Sequence, residues 1–220
     1  MIFDWKKLYI FDFDGTIFDS VDDVIVCFNK SLSLNGFPIL TRDEYIACLG
    51  GNIDELTSLI LGENSTQENI DLIKNTYKKV YTEYKKENTA PFKGIKNVLE
   101  KLQDENIILA INSNRKTHSI HYFVDKYLPS IDFISIEGYC DENPSKPDPA
   151  GVNKIIEKVG VDLNEVVYIG DSYKDIETAR NAGIDCVIVK WGYGNSDDYK
   201  NPYILKAIDN VDDILSLFNI

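Results

Sequence analysis

Two aspartates one residue apart, Asp12 and Asp14, end the apolar run of "YIFDFDGTIFDS". Residues two apart in a strand point to the same side, so both carboxylates would face one pocket. The competing reading is a turn: Asp-Gly is a common signal between apolar segments, and Asp14-Gly15 could close a hairpin. Three further fragments offer matching chemistry. "NSN" supplies the Ser113 hydroxyl and, with Asn114, backbone N–H groups at the start of a helix, where anions bind well. "SKPDP" supplies Lys146, and "GDSYKD" supplies Asp171 and, one helical turn on, Asp175. Singly, each has a plainer account: Ser113-Asn114, Asp171 or Ser172 as helix caps, Lys146 as a solvated charge. Jointly, four carboxylates and a phosphate dianion could not share one pocket unaided, because like charges oppose each other's ionisation. A hard divalent cation resolves the conflict, and Mg2+ takes carboxylate, carbonyl, water and phosphate oxygens.

What must position these residues is legible as alternating elements. Apolar, β-rich runs recur at "LYIFDF", "IILAIN", "IDFISI", "EVVYIG" and "DCVIVK". Amphipathic segments lie between the later ones: "GIKNVLEKLQDEN", "KTHSIHYFVDKYL", "PAGVNKIIEKVG" and "YKDIETARNAG". This alternation predicts βαβ units in an α/β fold, a Rossmann-like parallel sheet with helices on both faces. In such sheets ligands bind beyond the carboxyl ends of the strands, where all four fragments fall. Residues 17–88 break the pattern with helical periodicity and no convincing strand, and their exit "ENTAPFKG" has linker punctuation. The expected division is an α/β domain of residues 1–16 and 89–220 and a helical domain of 17–88.

Composition bounds the function. Thirty-six acidic residues against 23 Lys and Arg give a net charge of -13, a field that repels polyanions and argues against nucleic acid or anionic membrane as partner. The four cysteines, Cys27, Cys48, Cys140 and Cys186, lack zinc-site spacing and read as buried reduced thiols. The N-terminal residues lack a signal-peptide pattern and no apolar run reaches 18 residues, so a cytoplasmic location is expected. No oligomeric state can be read from the residues.

"DFDGT", Ser113, Lys146 in "KPDP" and "GDSYKD" resemble, in order, the four motifs of the haloacid dehalogenase superfamily of phosphotransferases. The helical insertion looks like a type C1 cap, and "DGTIFDS", "APFKG" and "WGYG" resemble the phosphoglycolate phosphatase-like branch. The resemblance implies that Asp12 is the nucleophile forming an aspartyl phosphate, and that Asp14 is the acid for the leaving alcohol and then the base for water. It implies Mg2+ held by Asp12, the carbonyl of Asp14, Asp171, and Asp175 directly or through water. Ser113 and Asn114 would grip the phosphoryl oxygens, while Lys146 would offset charge on them and on Asp12. The implied substrate is a small phosphorylated metabolite.

Among rivals, a sugar phosphomutase would use a cap-side His, and residues 17–90 contain none; His118 and His121 read as surface or packing residues. Pyrophosphate or a nucleotide monophosphate stays open as substrate. A receiver-type switch is about half this length, and a non-catalytic relative would show a damaged motif where none is damaged. In the insertion, "CLGGNIDE" (48–55) is the candidate substrate loop, with Gly50-Gly51 allowing close backbone approach, or else a plain inter-helix turn. Lys30 and Arg42 are its candidate cations. Arg115, just after "NSN", would either add positive potential near the phosphate or, the preferred reading, sit at a solvated helix start.

Overall fold

The computed structural model describes residues 6–49, 51–140 and 144–219. The chain forms two compact units, one of Met1–Phe18 with Pro91–Ile220 and one of Asp19–Ala90. The junctions lie two residues beyond those expected because Ile17 and Phe18 are fully buried in the first unit, where Phe18 stacks on Phe13 at 4.4 Å between ring centroids.

Along the chain, β1 (Leu8–Phe11) and the short β2 (Phe18–Asp19) precede the helices α1 (Val21–Leu34), α2 (Arg42–Ile46), α3 (Ile53–Leu61) and α4 (Gln67–Glu83). Then follow β3 (Ala90–Pro91), α5 (Ile95–Asp104), β4 (Ile108–Lys116), α6 (Thr117–Tyr127) and β5 (Phe133–Tyr139). The chain closes with α7 (Ala150–Val159), β6 (Val166–Gly170), α8 (Tyr173–Ala182), β7 (Asp185–Val189) and β8 (Lys206–Ile208).

In the first unit six strands form one sheet in the order β5-β4-β1-β6-β7-β8, with every neighbouring pair parallel. The fully buried β1 shows why its run is continuously apolar. Tyr9 and Phe11 face the layer of α5 and α6, with Leu99, Leu102, Ile120 and Phe123. Leu8 and Ile10 face that of α7 and α8, with Val152, Ile155, Ile176 and Ala179. Strands covered on both faces need no polar alternation. The α/β expectation therefore holds. The expectation lacked β8, too short at three residues to show a period, a 3-10 segment over Val211–Asn219 whose Ile214 joins the α5 side of the core, and the two-residue strands β2 and β3, the former in a stretch expected to hold no strand.

Among the described residues the second unit holds four α-helices and a 3-10 turn, Gly62–Asn64. Cys27, Phe28 and Leu32 of α1 lie buried with Tyr45, Ile60, Ile73 and Val80, and Phe28 stacks on Tyr77 at 4.2 Å. Thr41, Asn52 and Thr66 cap α2, α3 and α4 through their side-chain oxygens. Asp23, wholly buried, accepts from Asn88 N and Nδ2 at 3.2 and 2.9 Å. It also accepts from Thr89 N and Oγ1 at 2.7 and 2.6 Å, so one carboxylate ties the exit segment to the first turn of α1. Arg42 is engaged in an exposed pair with Asp22 at 3.0 Å, and Lys30 is exposed. Of the 48–55 stretch, Gly50 lies outside the described residues; Asn52 accepts from Asp54 N and Glu55 N and starts α3.

All four cysteines are free thiols, but only Cys27 and Cys186 are buried; Cys48 is partly and Cys140 fully exposed, which corrects the expectation of buried thiols throughout. Among the described residues no helix is long and apolar enough to cross a membrane.

Candidate active site

β1 lies between β4 and β6, with Phe11 in register with Ile111 and Ile169. Residues 12, 112–113 and 170–171 therefore lie side by side at the carboxyl edge of three adjacent strands, and Asp12 N donates to Ile169 O at 2.9 Å. Between β1 and β6 the strand order changes direction, which is where open parallel sheets form a crevice.

Asp12, Asp171 and Asp175 converge there: one oxygen of each lies within 4.8 Å of the others, and all three side chains are buried. Lys146, 4% exposed, places Nζ 2.9 Å from Asp12 Oδ1 and 2.6 Å from Asp175 Oδ1. Phe13 N also donates to Asp12 Oδ1, at 2.7 Å. The hydrogen bonds to Asp12 among the described residues thus fall on Oδ1 and leave Oδ2 as the oxygen with lone pairs to offer.

Asp175 is heavily committed. Its Oδ2 accepts from Ser172 N, Ser172 Oγ and Asp171 N at 3.0, 2.8 and 3.2 Å. With Ser172 as N-cap, Asp175 closes the capping box of α8. Gly170 permits this approach, since a Cβ there would stand 2.3 Å from Asp175 Cγ.

Asp171 is seated against bare backbone. A Cβ on Gly15 would lie 2.2 Å from Asp171 Oδ2, and one on Gly192 2.4 Å from the same atom. Gly15 also has φ +81°, a left-handed conformation that side chains other than glycine's resist. So Asp14-Gly15 does sit in a tight turn, with Gly15 N donating to Phe18 O at 2.9 Å. It is no hairpin of the main sheet, because both neighbours of β1 are parallel to it. Tyr193 N donates to Asp171 Oδ2 at 2.6 Å, and Trp191 Nε1 to Thr16 O at 3.1 Å. "WGYG" is therefore a loop that backs Asp171 and the turn after Asp12.

One expected position needs correction. Ser113 does not start a helix: β4 runs on to Lys116 and α6 begins at Thr117, so the helix-terminus argument for anion binding does not apply there. Ser113 Oγ instead accepts from Arg115 N at 3.3 Å within an irregular stretch of the strand. Asn114, expected to offer its N–H to the substrate, has its side chain on the backbone of Lys146, with Oδ1 accepting from Lys146 N at 2.6 Å and Nδ2 donating to Lys146 O at 3.4 Å. It orients the lysine.

Asp14 stands apart from the carboxylate trio. Both its oxygens accept from Arg115 Nε, at 3.1 and 2.9 Å, and Oδ1 accepts from Nη2 at 2.6 Å. Arg115 is not the solvated residue expected: its side chain is 10% exposed. Closeness in sequence to Ser113 is the signal that could have found it, since β4 loses strand register between Asn112 and Lys116. No such signal marks Tyr193, whose contribution is a backbone N–H. His118 and His121 are both exposed on α6, in keeping with the surface reading.

The electrostatics fit a cation. Burial pushes Asp12 up to about 7, with Lys146 pulling down and Asp175 and Asp14 adding to the rise. Burial likewise holds Asp171 well above the usual carboxylate range, reinforced by Asp175 and Asp12. Burial alone would lower Lys146, but Asp12 and Asp175 outweigh it and keep the ammonium charged. Asp12, Asp14, Asp171 and Asp175 face two cationic side chains, Lys146 and Arg115. The surplus equals one divalent ion, and the donors are the hard oxygens such an ion prefers. Asp12 and Asp171 are the members of the trio best able to hold it.

Comparison with known proteins agrees with this geometry. The family model of haloacid dehalogenase-like hydrolases matches residues 9–189. A phosphoglycolate phosphatase of Pseudomonas syringae pv. tomato is 28% identical over 194 residues, covering 86% of this chain and 71% of the relative. One from Aquifex aeolicus is 27% identical over 194 residues, covering 85% and 86%. A crystal structure of a Lactobacillus delbrueckii protein superposes with a TM-score of 0.91 at 23% identity, covering 99% of this chain and all of the other, a likeness of fold. The chain belongs to the haloacid dehalogenase-like hydrolases.

Proposed function

We propose that this hydrolase is a Mg2+-dependent phosphatase acting on a small, phosphoglycolate-like phosphomonoester through an aspartyl-phosphate intermediate. The observation that carries the reading is the buried trio of Asp12, Asp171 and Asp175 bridged by Lys146. Asp12 attacks phosphorus with the oxygen that Lys146 and Phe13 leave available, which splits one difficult displacement into two easier ones. Asp14 gives a proton to the departing alcohol and then takes one from the water that cleaves the acyl phosphate. Lys146, fixed by Asn114, offsets charge on Asp12 and on the phosphoryl group, and Ser113 offers its hydroxyl to a phosphoryl oxygen. Mg2+, when bound through Asp12, the Asp14 carbonyl and Asp171, supplies charge neutralisation at the transferring group. Asp175, already holding Lys146 and the α8 turn, would help to hold the ion directly or through water.

The substrate class is supported by the phosphoglycolate phosphatases among the relatives and by the lack of a histidine in residues 17–90, against a mutase. We assign residues 17–88 the part of a cap, and place the protein in the cytoplasm on the strength of its free thiols. The test is a panel of phosphoglycolate, pyrophosphate, sugar phosphates and nucleotides ranked by kcat/KM with Mg2+, alongside Asp12→Asn. Phosphoglycolate-like esters should lead and Asp12→Asn should be inert. Pyrophosphate or a nucleotide in first place would displace the substrate assignment, and no turnover of any phosphate would favour a binding role.

A further inference from the structure

Arg115 is pinned on several sides. Besides its fork on Asp14, its Nη1 donates to Ser119 Oγ of α6 at 3.1 Å. The guanidinium carbon lies 5.3 Å from the Phe13 ring centroid and 5.6 Å from that of Phe123. Its strand is walled by β5, where a Cβ on Gly138 would stand 2.5 Å from Arg115 O. Asp14 is the more open partner, 31% exposed against 10% for Arg115. The arginine is the fixed member of the pair and the carboxylate the one being held. A bidentate guanidinium fixes a carboxylate plane as well as its position, and a lysine ammonium cannot.

From this we infer that Arg115 is a positioning residue for Asp14: a buried, aromatic-walled fork that keeps hold of one carboxyl oxygen and so fixes the aim of the other, which turns out of the fork to carry the proton given to the leaving group. The inference deepens the proposed function and rests on its assignment of Asp14. A direct grip on the phosphoryl group is the competing role for Arg115. It is disfavoured because Nε and Nη2 already face Asp14 and Nη1 faces Ser119.

The two roles separate by leaving group. An alkyl phosphate needs proton donation to its departing oxygen, whereas p-nitrophenyl phosphate needs little, and kcat/KM reports the first transfer for both. The experiment compares wild type, Arg115→Met, Arg115→Lys, Asp14→Asn and the Arg115→Met/Asp14→Asn double variant on both esters, with a thermal melt for each. Expected is a fall in kcat/KM for Arg115→Met of roughly tenfold or more on the alkyl ester and within about threefold on the aryl ester, with Arg115→Lys showing the same bias to a smaller degree. The double variant should match Asp14→Asn on both esters. Equal losses on the two esters in both arginine variants, or a further loss in the double variant, would overturn the inference while leaving Asp14 its role. If Asp14→Asn itself fails to discriminate, the assignment of Asp14 falls and this inference with it.

Discussion

Lys146 Nζ lies 2.9 Å from Asp12 Oδ1, inside a pocket where both side chains are buried. The same nitrogen bonds Asp175 Oδ1 at 2.6 Å, so one ammonium compensates two buried carboxylates. Removing one partner of a buried ion set leaves the remainder uncompensated. Lys146→Met should lower stability by roughly 3–5 kcal/mol in metal-free protein and kcat by about a hundredfold or more. Urea unfolding and steady-state assay check the two effects. Turnover within a few-fold of wild type would show that Lys146 is only structural.

The carboxylate trio links stability, pH and metal. Asp12 titrates near 7 in the fold because burial opposes its charge, and in the unfolded chain near the ordinary carboxylate value of about 4. The folded form therefore holds the extra proton between those values, so this group's stabilisation is complete below the lower one and is lost as pH rises through about 7. Mg2+ held as proposed would favour the ionised form and restore what is lost. The rise in Tm on adding Mg2+ should thus be larger near pH 8 than near pH 5.5, as read in melts with and without chelator. An equal or larger rise at the lower pH would contradict the linkage.

Much of this was legible from the sequence because the informative residues sit at the ends of apolar runs. β1 reads "LYIF" then Asp12, and β6 reads "VVYIG" then Asp171. Once such runs are taken as parallel strands, their exits must share an edge. What the residues did not disclose is pairing decided by distant chain. Nothing local says that the Asn114 amide meets Lys146, 32 positions on. Arg115 was misjudged because the strand continues past Ser113 instead of giving way to a helix, which keeps the side chain on the buried edge. Cys140, by contrast, is exposed despite its type; apolar preference is a tendency of thiols that a strand's exit need not honour.

In the helical unit the strongest single tether is Asp23. Its carboxylate receives all four donors offered by Asn88 and Thr89, at 2.6 to 3.2 Å. Asp23→Ala strips the buried Thr89 of its acceptor and should cost about 3 kcal/mol, while Asp23→Asn, which turns donors toward donors, should recover only part of that. Urea titration followed by tyrosine fluorescence resolves the difference. A change below about 0.5 kcal/mol for Asp23→Ala, the size of an ordinary surface substitution, would remove the tether from the account.

The loop of Trp191 and Tyr193 reaches the site from beyond β7 and touches it through an indole N–H and a peptide N–H. A protein shortened at Val189 would keep every acidic and basic side chain named above, yet Asp171 would lose its backstop and the turn after Asp12 its anchor. Such a fragment would carry an intact inventory of reactive groups around a slackened centre. A survey of the four ordered superfamily motifs alone would score it as competent.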